Sequence, residues 1–237
     1  MNYNQFKSLV KDIKIDITES QFEKLYDFIE LLKEKNKNLN LTSISDDKDI
    51  WIKHIFDSLM VLNFLQINPE MKIVDLGTGG GFPGIPLAIL FPEAEFLLVD
   101  SVEKKIKAVQ EFVDELGLKN VKTLIDRAET LGQNIIYREQ YDVVLSRAVA
   151  VLPALMELTT PLLKVNGYLF AYKGRDYVIE VAESKNASEE LGVSHPEVFH
   201  YHLPEDMGER AILEIKKNKS TPEKYPRKIG KPTKRPL

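Results

Sequence analysis

The sequence predicts an α/β fold in which a mostly parallel sheet carries helices on both faces. Three observations lead there. From Met71 onward, apolar runs of strand length alternate with segments of helical period, the pattern of parallel-sheet proteins. The first run, Lys72-Ile73-Val74-Asp75-Leu76, passes directly into Gly77-Thr78-Gly79-Gly80-Gly81-Phe82-Pro83-Gly84, five glycines within eight positions. Behind the glycines, Ile85, Leu87, Ala88, Ile89 and Leu90 supply the apolar side of a helix. Strand, glycine turn and helix start is the geometry that aims free backbone N–H groups at a nucleotide-like ligand.

Taken in order, residues 1–70 read as a helical cap packed on the main domain. Thr18 and Gln21 have capping-box spacing ahead of Phe22, Leu25, Phe28, Ile29 and Leu32, which recur at helical period. The asparagine-rich stretch 36–40 is expected to end that helix. Asp46 or Asp47 can cap a second one, with Ile52, Ile55, Phe56, Leu59, Leu62 and Leu65 on its inner face and Pro69 closing it. Residues 71–217 form the main domain, with strands expected at 72–76, 95–100, 121–125, 141–146 and 168–173. Helices are expected near 84–91, 102–116, 150–164 and 176–190. Two further runs, 197–202 and 210–216, flank Pro204 and Gly208 and predict a hairpin adding an antiparallel edge. Residues 218–237 are a Lys/Pro tail, expected to be extended and mobile without a partner.

Composition narrows the possibilities. The 237 residues suit one domain with extensions, and the absence of cysteine excludes disulfides, thiolate metal sites and a cysteine nucleophile. No metal is expected. The N-terminus alternates charged and apolar residues, unlike a secretory signal, and no apolar run approaches the roughly 20 residues of a spanning helix. A soluble, cytoplasmic protein is the expectation, with nothing that demands more than a monomer. The net charge of −4 hides an asymmetry: from Lys216 on there are nine Lys/Arg and one acid, Glu223, against 23 basic and 35 acidic groups before it. An acidic body with a basic tail points to local polyanion contact.

The glycine turn alone fits dinucleotides as well as S-adenosyl-L-methionine. Asp75, two positions before Gly77, favours the latter, because a dinucleotide places its pyrophosphate there and keeps the position uncharged. Asp75 can orient the loop or meet a methionine ammonium. No second nucleotide-binding half follows. Asp100, ending the second strand, can accept from ribose hydroxyls or act as a helix N-terminal acid. Asp126-Arg127-Ala128-Glu129 after the third strand can read an adenine edge, although Glu129 alone reads equally as a cap. Arg147, in Ser146-Arg147-Ala148 at the end of the fourth strand, is placed to face the crevice. The Asn/Asp-Pro-Pro-aromatic loop of many nucleic-acid amino-methyltransferases is missing there, and pyrimidine C5 methylation lacks its cysteine.

Across nearly the whole chain the sequence resembles the bacterial 16S rRNA guanine-N7 methyltransferase family, also called glucose-inhibited division protein B. The resemblance rests on Asn40-Leu41-Thr42, His54-Ile55-Phe56-Asp57-Ser58-Leu59, the glycine loop with Phe82-Pro83 inside it, Ser146-Arg147-Ala148 and Lys173-Gly174. It ends on Tyr225-Pro226-Arg227-Lys228 with Gly230, Pro232 and Pro236-Leu237. Lys35 departs from the tryptophan common there. The resemblance implies a Rossmann-like methyltransferase fold and S-adenosyl-L-methionine as cofactor. The implied substrate is N7 of a guanosine in the 530 loop of 16S rRNA, met as RNA or small ribosomal subunit. It also implies cofactor contacts at Gly77, Phe82, Ala128, Glu129 and Arg147, to which the residues themselves add Gly79 and Asp100. Phe82 on its own would read as a core aromatic.

Guanine N7 carries an in-plane lone pair and no proton, so no general base is required, and the sequence singles out no catalytic residue. His54, Asp57 and Ser58 share one helix face. They read either as a polar cluster tying the cap to the sheet or as the lining of the substrate entrance. In the tail, Lys224, Arg227, Lys228, Lys231, Lys234 and Arg235 are candidates for phosphate contact. A methyltransferase of another RNA, a protein or a small molecule is the alternative reading, and a nicotinamide-dependent oxidoreductase the third.

Overall fold

The computed structural model describes residues 1–13 and 15–237. Seven strands form one sheet in the order β3-β2-β1-β4-β5-β7-β6. They are β1 Lys72–Leu76, β2 Glu95–Asp100, β3 Val121–Ile125, β4 Tyr141–Arg147, β5 Leu163–Lys173, β6 Glu197–His202 and β7 Glu209–Lys216. The first five pair in parallel; β7 returns antiparallel to β5, and β6 antiparallel to β7 forms the edge. The predicted hairpin is therefore present. Chain winding goes one way from β1 through β2 to β3 and the other way through β4 to β5. The strand order thus reverses between β1 and β4, where open α/β sheets leave a crevice at the strands' C-terminal ends.

Alternation along each strand separates two apolar cores. Ile73, Leu98, Leu145, Phe170 and Ile212 face the cap, where they join Phe6, Phe22, Phe28, Trp51, Ile55 and Leu59 in one continuous core. Val74, Val99, Val144, Ala171 and Leu213 face the other way onto Leu152, Leu155 and Met156. The cap thus has no core of its own separate from the sheet. Its long helix, Glu19–Leu39, starts on the predicted box, with Thr18 and Gln21 each bonding the other's backbone N–H. It runs on through 36–39 and stops at Asn40, whose φ of 48° is left-handed, a conformation asparagine tolerates better than most residues. Lys35, at its exposed side, pairs with Glu111.

Residues 47–63 are not a uniform helix. Asp46 caps Asp47–Ile50, a π-helical turn spans Trp51–Phe56, Asp57–Leu59 is α-helical, and Met60–Asn63 tightens to 3-10. Such π turns favour functional positions, and this one carries His54.

Two helices differ from the periodicity. The expected 150–164 helix is Leu152–Thr159 followed by a 3-10 turn over Thr160–Leu162, because β5 already begins at Leu163, pairing with Tyr141. The expected 176–190 helix breaks at Ser184 into Tyr177–Glu183 and Lys185–Leu191. No helix among the described residues is long and apolar enough to cross a membrane.

The extended, mobile tail is overturned. Tyr225 is buried in the second core, and Arg138 donates to the carbonyls of Thr221, Pro222 and Tyr225. Arg227 makes a bidentate pair with the fully buried Glu157 on helix Leu152–Thr159, and a short helix, Lys231–Lys234, packs beside it. The composition of the segment is that of a linker, but its few apolar and planar side chains find sites prepared for them on the body.

Candidate active site

The glycine turn is held by two carboxylates. Gly77, Gly79 and Gly81 have φ of 76°, 59° and 97°, which only glycine adopts readily. Asp75 Oδ2 accepts from Thr78 Oγ1 at 2.7 Å and from the Gly84 backbone N–H at 2.8 Å. Asp100 Oδ2 accepts from Gly79 N–H at 3.1 Å, and its Oδ1 from Val102 N–H at 2.9 Å. A Cβ on Gly84 would lie 2.8 Å from Asp75 Oδ2, so the helix can start this close only with glycine. Asp75 is fully buried and its Oδ1 has no protein partner among the described residues. That burial pushes its carboxyl up to about 6. Of the two roles open to Asp75, orienting the loop is the one its contacts fill.

Across the crevice lies a second cluster, assembled from the cap, the glycine loop, β4 and β6. Arg147 pairs with Asp57 through Nη1 and Oδ2 at 2.8 Å and also donates to the Lys53 carbonyl. Tyr201, from the hairpin, donates its hydroxyl to Asp57 Oδ1 at 2.7 Å. Asp57 thus holds both carboxylate oxygens in charge-assisted or phenolic hydrogen bonds. The Arg147 guanidinium lies 5.2 Å from the centre of the Phe82 ring, and His54 stacks on the same ring at 4.5 Å.

The His54 tautomer follows from its neighbours. Arg147 Nη2 lies 3.3 Å from Nδ1, and a guanidinium only donates. Nδ1 is therefore the acceptor, and the proton sits on Nε2, 2.7 Å from Thr42 Oγ1. Thr42 is in turn fixed by reciprocal bonds with Asn36. Burial, then the Arg147 charge, pushes His54 down to about 3, so the ring is neutral at physiological pH. Burial also raises the Tyr172 and Tyr201 hydroxyls well above the usual phenol range.

A cavity of about 650 Å³ opens beside this cluster, lined among others by His54, Arg147, Val149, Tyr172, Lys173 and Arg210. Its rim is residues 148–151. Ala148 has a left-handed φ of 58°, and Lys173 donates to the Ala150 carbonyl at 2.7 Å while pairing with Glu180. A cavity of about 580 Å³ near Leu62–Ile67 lies by the segments leading into β1 and β2, away from these groups.

A family profile described as GidB, rRNA small subunit methyltransferase G, matches residues 21–211. The chain belongs to this family. Its GidB relatives include proteins named ribosomal RNA small subunit methyltransferase G from Leuconostoc citreum, 41% identical over all of both chains, and from Staphylococcus aureus. The latter is 43% identical over 96% of this chain and 95% of the relative. Solved structures agree on the fold. A S-adenosylmethionine-dependent methyltransferase from Aquifex aeolicus superposes with a TM-score of 0.53 at 18% identity, covering 78% of this chain and 97% of that one. M. jannaschii TYW2 in complex with AdoMet gives 0.55 at 13%, covering 76% and 81%. The GidB chain thus has the Rossmann-like methyltransferase fold its sequence predicts.

In this GidB protein the expected site residues fall into three groups. Gly77 and Gly79 lie in the turn after β1, where Asp100 from the end of β2 accepts from the Gly79 N–H, and Phe82 and Arg147 meet directly. Ala128 and Glu129 open the helix Ala128–Gln133 after β3. There Glu129 accepts from the Gly230 N–H of the tail at 2.7 Å, so in this arrangement its carboxylate binds the chain's own backbone. Sequence reasoning missed Tyr201, Tyr172 and Glu180. The first two lie in strands whose other residues are ordinary sheet formers, so no local signal marks them. Of the tail cations, Arg227 is consumed by Glu157 and Lys224 pairs with Glu190. Lys228, Lys231, Lys234 and Arg235 stay exposed and make no ion pair among the described residues.

Proposed function

We propose that this chain methylates N7 of a guanosine in small-subunit rRNA, within the 530 loop, with S-adenosyl-L-methionine as methyl donor. The observation that carries this reading is the crevice of a GidB chain in which the glycine turn opens beside the Arg147–Asp57–His54–Phe82 cluster. The turn fits the cofactor's nucleoside. Four of the five positions 77–81 lack a Cβ, and one added at Gly77 would lie 2.2 Å from the Val149 side chain. When bound, the sulfonium cofactor supplies an electrophilic methyl group. Gly77 and Gly79 would hold it by backbone approach, Asp100 by accepting from its ribose, and Phe82, Ala128, Glu129 and Arg147 by lining its two ends.

The chain's own residues position and exclude water. N7 has no proton to lose, and the titratable groups at the crevice agree with that: His54 is held down near 3 and the Tyr172 and Tyr201 hydroxyls are held up. None of these three is poised near neutrality as a general base would be, and Asp75, raised to about 6, is engaged in holding the turn through Thr78 and Gly84. Catalysis then rests on orientation, which can contribute about 7–11 kcal/mol. Arg147, fixed by Asp57, and the neutral His54 present a preset donor and a flat wall. The target base must arrive unpaired or flipped, since a stacked base cannot enter a sheet-edge cavity. The exposed tail cations Lys228, Lys231, Lys234 and Arg235 are the groups this reading assigns to the surrounding phosphates.

The test is transfer of labelled methyl from S-adenosyl-L-methionine to 30S subunits and naked rRNA from a strain lacking the enzyme, with the modified base mapped. Label at guanine N7 and turnover nearly flat from about pH 6 to 9 are expected. Label confined to another position, to protein or to metabolites overturns the reading.

A further inference from the structure

The end of the β6–β7 hairpin gathers three side chains that the crevice does not use. His200 and His202 are two apart on β6, so their imidazoles leave the same face of the strand. Glu209 is the direct cross-strand partner of His202 in the register, on that same face. One ligand atom from each of the three lies within 4.8 Å of the others, and the two imidazoles meet edge to face at 5.2 Å between centres. All three side chains are exposed, and none makes a side-chain hydrogen bond or ion pair among the described residues. The Glu209 backbone carbonyl accepts from Arg210, which leaves its carboxylate uncommitted among the described residues.

We propose that His200, His202 and Glu209 bind one transition-metal dication of the zinc class and clip the end of the hairpin. Two imidazoles and a carboxylate are a zinc donor set, with ligand bonds of about 2.0–2.2 Å that put tetrahedral donors about 3.4 Å apart. Exposed rotamers on fixed strands can close from the present spacing by side-chain rotation alone. A fourth position stays open to solvent. Hard cations such as Mg2+ prefer all-oxygen sites and are not matched here.

The placement gives the metal a consequence. Tyr201 stands between the two histidines, and its side chain leaves the opposite face to hold Asp57. A clip across His200, His202 and Glu209 fastens the strand pair that carries this hydrogen bond, without adding any group to the crevice.

Titration calorimetry of the intact protein with Zn2+ alone, and with Mg2+ as the contrast, tests the site, with hydrogen exchange read on the same samples. One Zn2+ per chain is expected, with H200A, H202A and E209Q each weakening it by about tenfold or more. H195A, which changes another exposed histidine, should leave binding unaltered. Zn2+ should slow amide exchange in β6 and β7 of the unaltered protein and not in the H200A/H202A variant. Zn2+ binding equal in the double variant, or bound Zn2+ with unchanged exchange in the hairpin, overturns the proposal.

Discussion

Replacing Arg227 by alanine asks how firmly the basic tail is held. Glu157 is fully buried, and Arg227 reaches both its oxygens, through Nε at 2.8 and 2.9 Å and through Nη2, while the Arg227 backbone N–H donates at 2.7 Å. Nη2 also holds the Arg235 carbonyl at 2.8 Å. In R227A only the backbone bond to Glu157 remains, and a carboxylate is left in an apolar core without its cation. Breaking one side of a buried pair costs about 3–5 kcal/mol, and the partial exposure of Arg227 favours the lower end. In a chain of this size each kcal/mol moves the melting temperature by about 2–4 °C, so about 6–12 °C is expected. Scanning calorimetry on the wild type, R227A and an R227M/E157M double variant measures it. The double variant should recover much of the loss, since neither charge is then left alone. Trypsin should cut after Lys228 and Lys234 faster in R227A. A melting temperature within about 2 °C of wild type, with unchanged proteolysis, would refute the docked tail.

Three more outcomes follow from the site. G77A forces a Cβ to within 2.2 Å of Val149 at a φ of 76°, so calorimetric titration should show S-adenosyl-L-methionine binding weakened about tenfold or more; unaltered affinity would remove the turn from the cofactor site. His54 and Asp75 give opposite pH dependences of stability. With His54 at about 3 in the fold and near 6.5 unfolded, the unfolded chain binds more protons between those values, so stability is lost as pH falls from about 6.5 toward 3. Asp75, raised to about 6, holds its proton better when folded, so it costs stability as pH rises from about 4 to 6, by roughly 3 kcal/mol at completion. Relative to wild type, melting temperatures should therefore fall with pH between about 4 and 6 in H54N, where only the Asp75 effect remains, and rise more steeply with pH in D75N; profiles parallel to wild type would contradict both assignments. Finally, removing Lys228, Lys231, Lys234 and Arg235 together should lower the salt slope of RNA binding by about 3 with little change in melting temperature, and an unchanged slope would place the phosphate contacts elsewhere.

Much of this architecture follows from local chemistry. Thr18 and Gln21 cap the long helix because the box needs only residues three apart, and the edges of β1, β2, β3 and β6 fall where apolar runs meet turn residues. The glycine turn is similarly self-announcing, since positive φ at three positions demands glycine. Other boundaries depended on neighbours. The helix after β4 ends early because β5 starts pairing at Leu163, and the segment over 47–63 changes its winding where His54 and Asp57 must reach Arg147. Neither event leaves a periodic trace in the chain.

The sequence by itself determined the α/β class, the hairpin, the turn that ends β1 and the family, because each rests on residues close together or on motifs fixed in spacing. Tertiary structure alone decided which groups meet. It joined Asp57 to Tyr201, 144 positions away, set His54 neutral by burial beside Arg147, turned Glu129 toward Gly230, and laid a linker-like tail onto Glu157. The physical reason is common to all four. A side chain's protonation and partners are set by the dielectric and the groups around it, and those are supplied by segments far apart in the chain.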